Sequence, residues 1–280
     1  MTVLITAREL AEALDSPTPP VVLDVRWQLT AAGGAAYDGR SDHLAGHIPR
    51  AVFVDLDTEL AAHGEPTDGR HPLPSIDSLQ ASARRWGIDD GDAVVVYDAT
   101  GNLAAARAWW LLRWAGIADV RLLDGGLDAW TSAGLGLVTV AEQPPRPAGG
   151  NVTLSPGHLP TLELADIASY SGQLVDARAA ARYRGETEPI DPKAGHIPGA
   201  LNAPTTDNLA PDGTFLPAEE LRARFESAGI DGTAPVAAYC GSGVTAAHEI
   251  AALAIAGIDA ALYPGSWSQW SNHDLPVATE

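Results

Sequence analysis

The sequence predicts an α/β protein built as two tandem units, each a parallel sheet flanked by helices on both faces. Three observations carry that expectation. Short, nearly continuous apolar runs alternate with stretches of helical composition, the pattern of strands covered on both faces. Motifs of the first half recur in the second, in the same order. Between the halves, 139–150 holds three prolines and two glycines, which prevent helix and favour an extended path.

In the first half the apolar runs 21–23, 51–54, 93–96 and 120–123 read as strands. Helices are expected over 76–86 and 103–114, with a shorter one over 127–133. Trp109, Trp110 and Trp114 follow helical spacing and read as packing in the core or between domains. In the second half the run 235–239 reads as a strand and 246–254 as a helix. A chain of 280 residues is comfortable as two domains of ordinary size. The expected boundaries are a first domain over 1–138, a linker over 139–151 and a second domain over 152–280.

The repeat is explicit. Residues 94–106 align without a gap on 236–248, with Tyr97 on Tyr239 and Gly101 on Gly243. Asp24-Val25-Arg26 matches Asp176-Ala177-Arg178, and Ala45-Gly46-His47-Ile48-Pro49 matches Ala194-Gly195-His196-Ile197-Pro198. Asp124 through Trp130 matches Pro264 through Trp270, so Gly126 falls on Ser266. Asp98 falls on Cys240, the only cysteine of the chain. The first unit therefore carries a carboxylate where the second carries a thiol, and it reads as a structural and substrate-shaping half.

Cys240 sits where a reactive sulfur is made. An apolar strand leads into it, and Gly241-Ser242-Gly243-Val244-Thr245 forms a short loop before a helix. Two glycines let the backbone curl so that successive N–H groups point inward. The helix adds the positive end of its dipole. Both stabilise an anion at the sulfur, and a thiolate is the nucleophile. In parallel sheets ligands bind at the C-terminal ends of strands, where this reading puts Cys240. His47 and His196 occupy matching motifs although only one unit has the thiol, so they read as structural. His248, on the following helix, is directed away from the sulfur and is not expected to act as the base.

A cysteine in such a cradle suits phosphate ester hydrolysis or sulfur transfer. The first needs an arginine ending the loop to clamp phosphate. That position is Ala246, and neither arginine nor lysine occurs from Gly241 to Ile255. Sulfur transfer needs only a pocket of N–H groups for a compact persulfide anion.

These motifs together resemble two-domain rhodanese-type sulfurtransferases over nearly the whole chain. The loop from Cys240 to Thr245 looks most like that of the 3-mercaptopyruvate sulfurtransferases; thiosulfate-preferring relatives carry basic residues where this chain has Gly241 and Ser242. The resemblance implies two rhodanese-like domains and transfer of a sulfane sulfur from 3-mercaptopyruvate to a thiol or cyanide acceptor through a Cys240 persulfide, without a cofactor or metal. Gly241, Gly243, Val244 and Thr245 would line the donor. Asp57 and His71 would reach Ser242, and Ser242 with His71 would protonate the departing enolate. Arg182 would bind the donor's anionic group in a bidentate fork. The family pattern also contains a second arginine, and Ile190 stands in its place, leaving Lys193 or Arg184 to supply the missing contact. Thiosulfate:cyanide sulfurtransfer and a persulfide-carrying module serving a dedicated protein acceptor are the alternatives.

The setting follows from composition. A formal charge of −19, from 17 basic against 36 acidic residues, argues against nucleic acid or an anionic membrane as partner. A single cysteine excludes an intrachain disulfide. No apolar stretch of signal-peptide or membrane-spanning type is seen, so a cytoplasmic enzyme is expected. Its partners would be a small anionic sulfur donor and cyanide or a thiol acceptor such as thioredoxin.

Overall fold

The computed structural model describes residues 2–29, 37–139 and 149–279. Most of the expected linker, 140–148, lies outside them. The strands are β1 (Leu4–Ile5), β2 (Val21–Val25), β3 (Val52–Val54), β4 (Val94–Tyr97) and β5 (Val120–Leu123) in the first half. The second half has β6 (Gln173–Asp176), β7 (Leu201–Asn202), β8 (Val236–Tyr239) and β9 (Ala260–Leu262). The first-half helices are α1 (Ala7–Leu14), α2 (Gly39–Ala45), α3 (Leu56–Glu59), α4 (Ile76–Arg85), α5 (Ala105–Trp114) and α6 (Gly126–Ser132). The second half follows with α7 (Leu164–Ile167), α8 (Ala180–Tyr183), α9 (Ala218–Ser227), α10 (Thr245–Ile255) and α11 (Ser266–Ser271).

Each half forms its own parallel sheet, in the order β1-β5-β4-β2-β3 and β7-β6-β8-β9. The inner strands are apolar on both faces. In β2, Val21, Leu23 and Val25 face one core and Val22 faces another. In β8, Val236 and Ala238 face one core and Ala237 and Tyr239 the other. Helices α1 and α6 cover the outer face of the first sheet, and α7 and α11 that of the second. The inner faces meet in a single continuous core to which α4, α5, α9 and α10 contribute, and α5 packs on α10. The edge strand β1, too short for a periodic signal, was not legible in the sequence. Helix α5 starts at Ala105 rather than 103, because the N–H groups of Ala104 and Ala105 are taken by Asp98.

The repeat is visible in the bonding. Asp24 pairs with Tyr97 across β2 and β4 as Asp176 pairs with Tyr239 across β6 and β8. The Tyr97 hydroxyl accepts from Ile48 N–H, and Tyr239 accepts from Ile197 N–H, both at 3.1 Å. His47 Nδ1 bonds the His43 carbonyl and His196 Nδ1 the Tyr183 carbonyl. Both histidines thus tie down the loop before a strand. From residue 149 onward, Gly150, Val152, Ser155 and His158 donate to carbonyls of Arg84, Ile88, Ala115 and Trp114, so this stretch runs along the first half. Among the described residues no helix is long and apolar enough to cross a membrane.

Candidate active site

Strand β8 delivers Cys240 to the C-terminal edge of its sheet, and the chain then turns through 241–244 into α10. The Cys240 Sγ accepts the Gly243 N–H at 3.1 Å. Behind it the loop is pinned by the start of α11. Cys240 N–H donates to Ser266 Oγ (3.2 Å), and the carbonyls of Cys240 and Gly241 accept from Trp267 and Ser268 N–H. Gly243 has φ +78°, and a Cβ there would lie 2.5 Å from the Pro264 carbonyl oxygen, so only glycine fits. Among the described residues the N–H groups of Ser242, Val244 and Ala246 donate to no acceptor.

The first half shows the same loop closed on an anionic group. Asp98 is fully buried, and its Oδ1 accepts from Thr100 and Asn102 N–H at 2.8 and 2.7 Å. Its Oδ2 accepts from Ala104 and Ala105 N–H at 2.8 and 2.9 Å. Burial pushes this carboxyl above its ordinary value, against four amide donors that favour the anion. By the repeat, Thr100, Asn102 and Ala104 correspond to Ser242, Val244 and Ala246. An aspartate oxygen stands two bonds beyond Cβ, as the outer sulfur of a cysteine persulfide does. The three open amides of the second loop therefore face the position that an outer sulfur on Cys240 would take.

A cavity of about 260 Å³ opens over the loop. Cys240, Gly241, Ser242, Val244 and Thr245 line it, together with Arg182 and Arg70. Gly243 contributes its amide from behind. His71 Nδ1 lies 2.7 Å from Ser242 Oγ, and His71 Nε2 lies 3.4 Å from Asp57 Oδ1. Because an ionised carboxylate only accepts, the tautomer with its proton on Nε2 faces Asp57 and leaves Nδ1 to accept from the Ser242 hydroxyl. The His71 contact, with a Trp27 Nε1–H bond at 3.0 Å, holds the Asp57 carboxyl below its ordinary value. The structure thus brings Asp57, His71, Ser242 and Cys240 into one cluster from both halves.

Arg182 Nη2 bonds Glu188 at 2.6 Å and Asp191 at 3.2 Å. The expectation that Lys193 or Arg184 replaces the missing arginine is overturned. Lys193 Nζ donates to the His273 carbonyl, and Arg184 is spent on Glu186 at the surface. The second guanidinium over the loop belongs to Arg70, which arrives from the first half and is ion-paired with Asp191. Asp191, buried between the two arginines, has its carboxyl raised by burial.

Sequence reasoning also missed Arg107. This α5 residue is fully buried and donates only to carbonyls, those of Leu60, Gly243, His71 and Pro72, at 2.9–3.3 Å. Burial lowers its pKa to about 10, which leaves it charged at neutral pH beneath the Cys240 loop. No sequence pattern marks a contact between α5 and Gly243. Ser266 had a signal, since it aligns with Gly126 and shares its left-handed backbone (φ +54° and +57°). His248 is fully buried, with Nδ1 on Thr205 Oγ1 (2.7 Å), and burial lowers its pKa to about 3, so it is neutral at working pH. Among the described residues no cluster of three or more His, Cys, Asp or Glu could hold a metal.

The rhodanese-like domain family matches this chain twice, over residues 6–133 and 162–273. A Mycobacterium tuberculosis protein named "Putative thiosulfate sulfurtransferase SseB" is 50% identical over 275 residues, covering 96% of this chain and 94% of the relative. The human 3-mercaptopyruvate sulfurtransferase is 38% identical over 277 residues, covering 95% and 91%. The crystal structure of SseA from Escherichia coli, described as a 3-mercaptopyruvate sulfotransferase with the rhodanese fold, superposes with a TM-score of 0.81 at 32% identity, covering 95% and 99%.

Proposed function

Because this chain belongs to the rhodanese family, as a sulfurtransferase of two tandem domains, we propose that it moves sulfur from 3-mercaptopyruvate to a thiol or cyanide through a persulfide on Cys240. The Cys240 thiolate attacks the donor sulfur, the carbon–sulfur bond breaks, and its electron pair leaves as the enolate of pyruvate. The thiol proton of the donor ends on the enolate carbon, passed by Ser242 with His71, which Asp57 orients. Pyruvate departs and Cys240 holds an outer sulfur as an anion. An acceptor thiolate or cyanide then attacks that sulfur and restores the thiolate. Arg182 holds the donor carboxylate, and the backbone of Gly241, Gly243, Val244 and Thr245 shapes the floor.

The observation that carries this reading is the paired loop. In one half four amides enclose a carboxyl group, and in the other three of the matching amides stand open in the loop of a thiol. The loop is built for a compact anion two bonds from Cβ, and no arginine follows to clamp a phosphate.

Exposure of the protein to 3-mercaptopyruvate is expected to add one sulfur to Cys240, read by mass spectrometry of the intact chain and its peptides. Cys240→Ser is expected to lose both the added sulfur and turnover; full turnover in that variant would overturn the mechanism. Thiosulfate is the second reading, favoured by the name of the mycobacterial relative. The ratio of kcat/KM values for the two donors decides between them. The acceptor is proposed to be a cytoplasmic dithiol protein of the thioredoxin type, and an acceleration of turnover by such a protein over cyanide alone would support it.

A further inference from the structure

We propose that Arg70, contributed by the first half, is the second donor-binding cation of the active site and shares the donor's carboxylate with Arg182; the inference rests on the sulfur-transfer reading above. A Cβ built on Gly241 would lie 3.0 Å from Arg70 Nη2 and 3.4 Å from Arg182 Nη1, so both guanidiniums reach over the residue next to the nucleophile. Both line the cavity that holds Cys240.

Their bonding leaves the right atoms open. Arg70 Nη1 is taken by Asp191 Oδ1, and Arg182 Nη2 by Glu188 and by Asp191 Oδ2. Asp191 therefore bridges the two arginines with one carboxylate, one oxygen to each. Among the described residues Arg70 Nη2 and Arg182 Nη1, the two nitrogens nearest Gly241, make no hydrogen bond, and Arg70 Nε is buried without a partner. Two N–H-bearing nitrogens on opposite arginines can thus take the two oxygens of a second carboxylate. A lysine could not hold this geometry, because its single ammonium presents no planar fork.

The position is also fixed. Arg70 N–H donates to Ser268 Oγ at 3.0 Å, on α11, which itself supports the Cys240 loop. The missing side chain at Gly241 leaves the space the guanidiniums enter.

The test is steady-state kinetics of Arg70→Gln and Asp191→Asn with 3-mercaptopyruvate, alongside thermal unfolding. Arg70→Gln is expected to raise KM for the donor and the inhibition constant for pyruvate by the same factor, about 10-fold or more, because one charge-assisted contact is lost. Its kcat is expected to change less than about twofold, and the rate at which cyanide discharges a preformed persulfide is expected to stay the same. Asp191→Asn frees both arginines and is expected to lower KM. If Arg70 only braced Asp191, the two variants would shift KM alike, and that result overturns the proposal. An unchanged KM and pyruvate inhibition in Arg70→Gln overturns it as well. Arg70→Lys, which keeps the charge without the fork, is expected to recover only part of the loss; full recovery would reduce Arg70 to a point charge and overturn the shared-carboxylate geometry. Should wild-type protein take sulfur from thiosulfate but not from 3-mercaptopyruvate, the donor assignment fails by itself. The thiosulfate KM of Arg70→Gln then decides whether Arg70 binds the donor anion.

Discussion

A carboxyl stands in the first loop where the second carries a thiol. Asp98 and Cys240 occupy equivalent loops, and three of the four amides that Asp98 consumes have open counterparts beside Cys240. At this scale the cysteine and its glycines were legible because local order reports local geometry. Arg70 and Arg107 were not, since their partners Asp191 and Gly243 lie 121 and 136 residues away in sequence. Ser242 carries a residue-scale prediction. Removing its hydroxyl takes away the group bonded to His71, and proton transfer of this kind contributes about 10²–10⁴-fold to rate. Ser242→Ala is therefore expected to lower kcat for 3-mercaptopyruvate by about 100-fold or more and to affect thiosulfate far less, because sulfite leaves without needing protonation at carbon. Equal losses with both donors, measured side by side, would remove the relay.

Among elements, the unit that matters is β8, its loop and α10, braced from outside by α5 and α11. Arg107 of α5 is the brace that crosses the halves. It donates to the Gly243 carbonyl on the catalytic loop and to the His71 carbonyl on the loop that carries the relay. One buried cation thereby ties the Cys240 loop to the loop that carries His71. Arg107→Met leaves these carbonyls without donors in a dry site, and each buried unsatisfied group costs about 1–3 kcal/mol. The variant is expected to lose at least about 2 kcal/mol in urea unfolding. Its rate of persulfide formation, measured under conditions where it is still folded, is expected to fall more than its donor affinity. A variant with normal stability and normal single-turnover rates would show that α5 does not position the loop. The strands of both sheets followed from their apolar runs, whereas this brace is a contact between elements and has no periodicity of its own.

Across the whole molecule, the two sheets turn their inner faces to one shared core, and polar groups sealed at that junction couple folding to pH. Glu249 on α10 is fully buried, accepts from Asn208 Nδ2 at 2.7 Å, and has one oxygen without a partner. Burial pushes its pKa up to about 7. The folded state then holds a proton that the unfolded chain releases near pH 4.3, so the contribution of this group to stability is fully present below that value and is lost as pH rises toward 7. The loss is on the order of 3 kcal/mol. Glu249→Gln is expected to unfold at a higher temperature than wild type at pH 8 and to show a smaller difference at pH 5; a constant difference across that range would mean Glu249 keeps its charge in the fold. The sequence by itself determined that the protein is two copies of one α/β unit, and that one copy carries Asp98 where the other carries the lone Cys240 in its glycine loop. Those facts reside in local pattern: alternation of apolar runs, glycines at a turn, and motifs recurring in order. Only the tertiary structure decided that Arg70 and Arg107 of the first copy also reach the Cys240 loop, where the family resemblance had already placed His71 with Asp57 behind it. Which side chains meet across a shared core is set by how two sheets pack, and packing leaves no trace in the order of residues along either one.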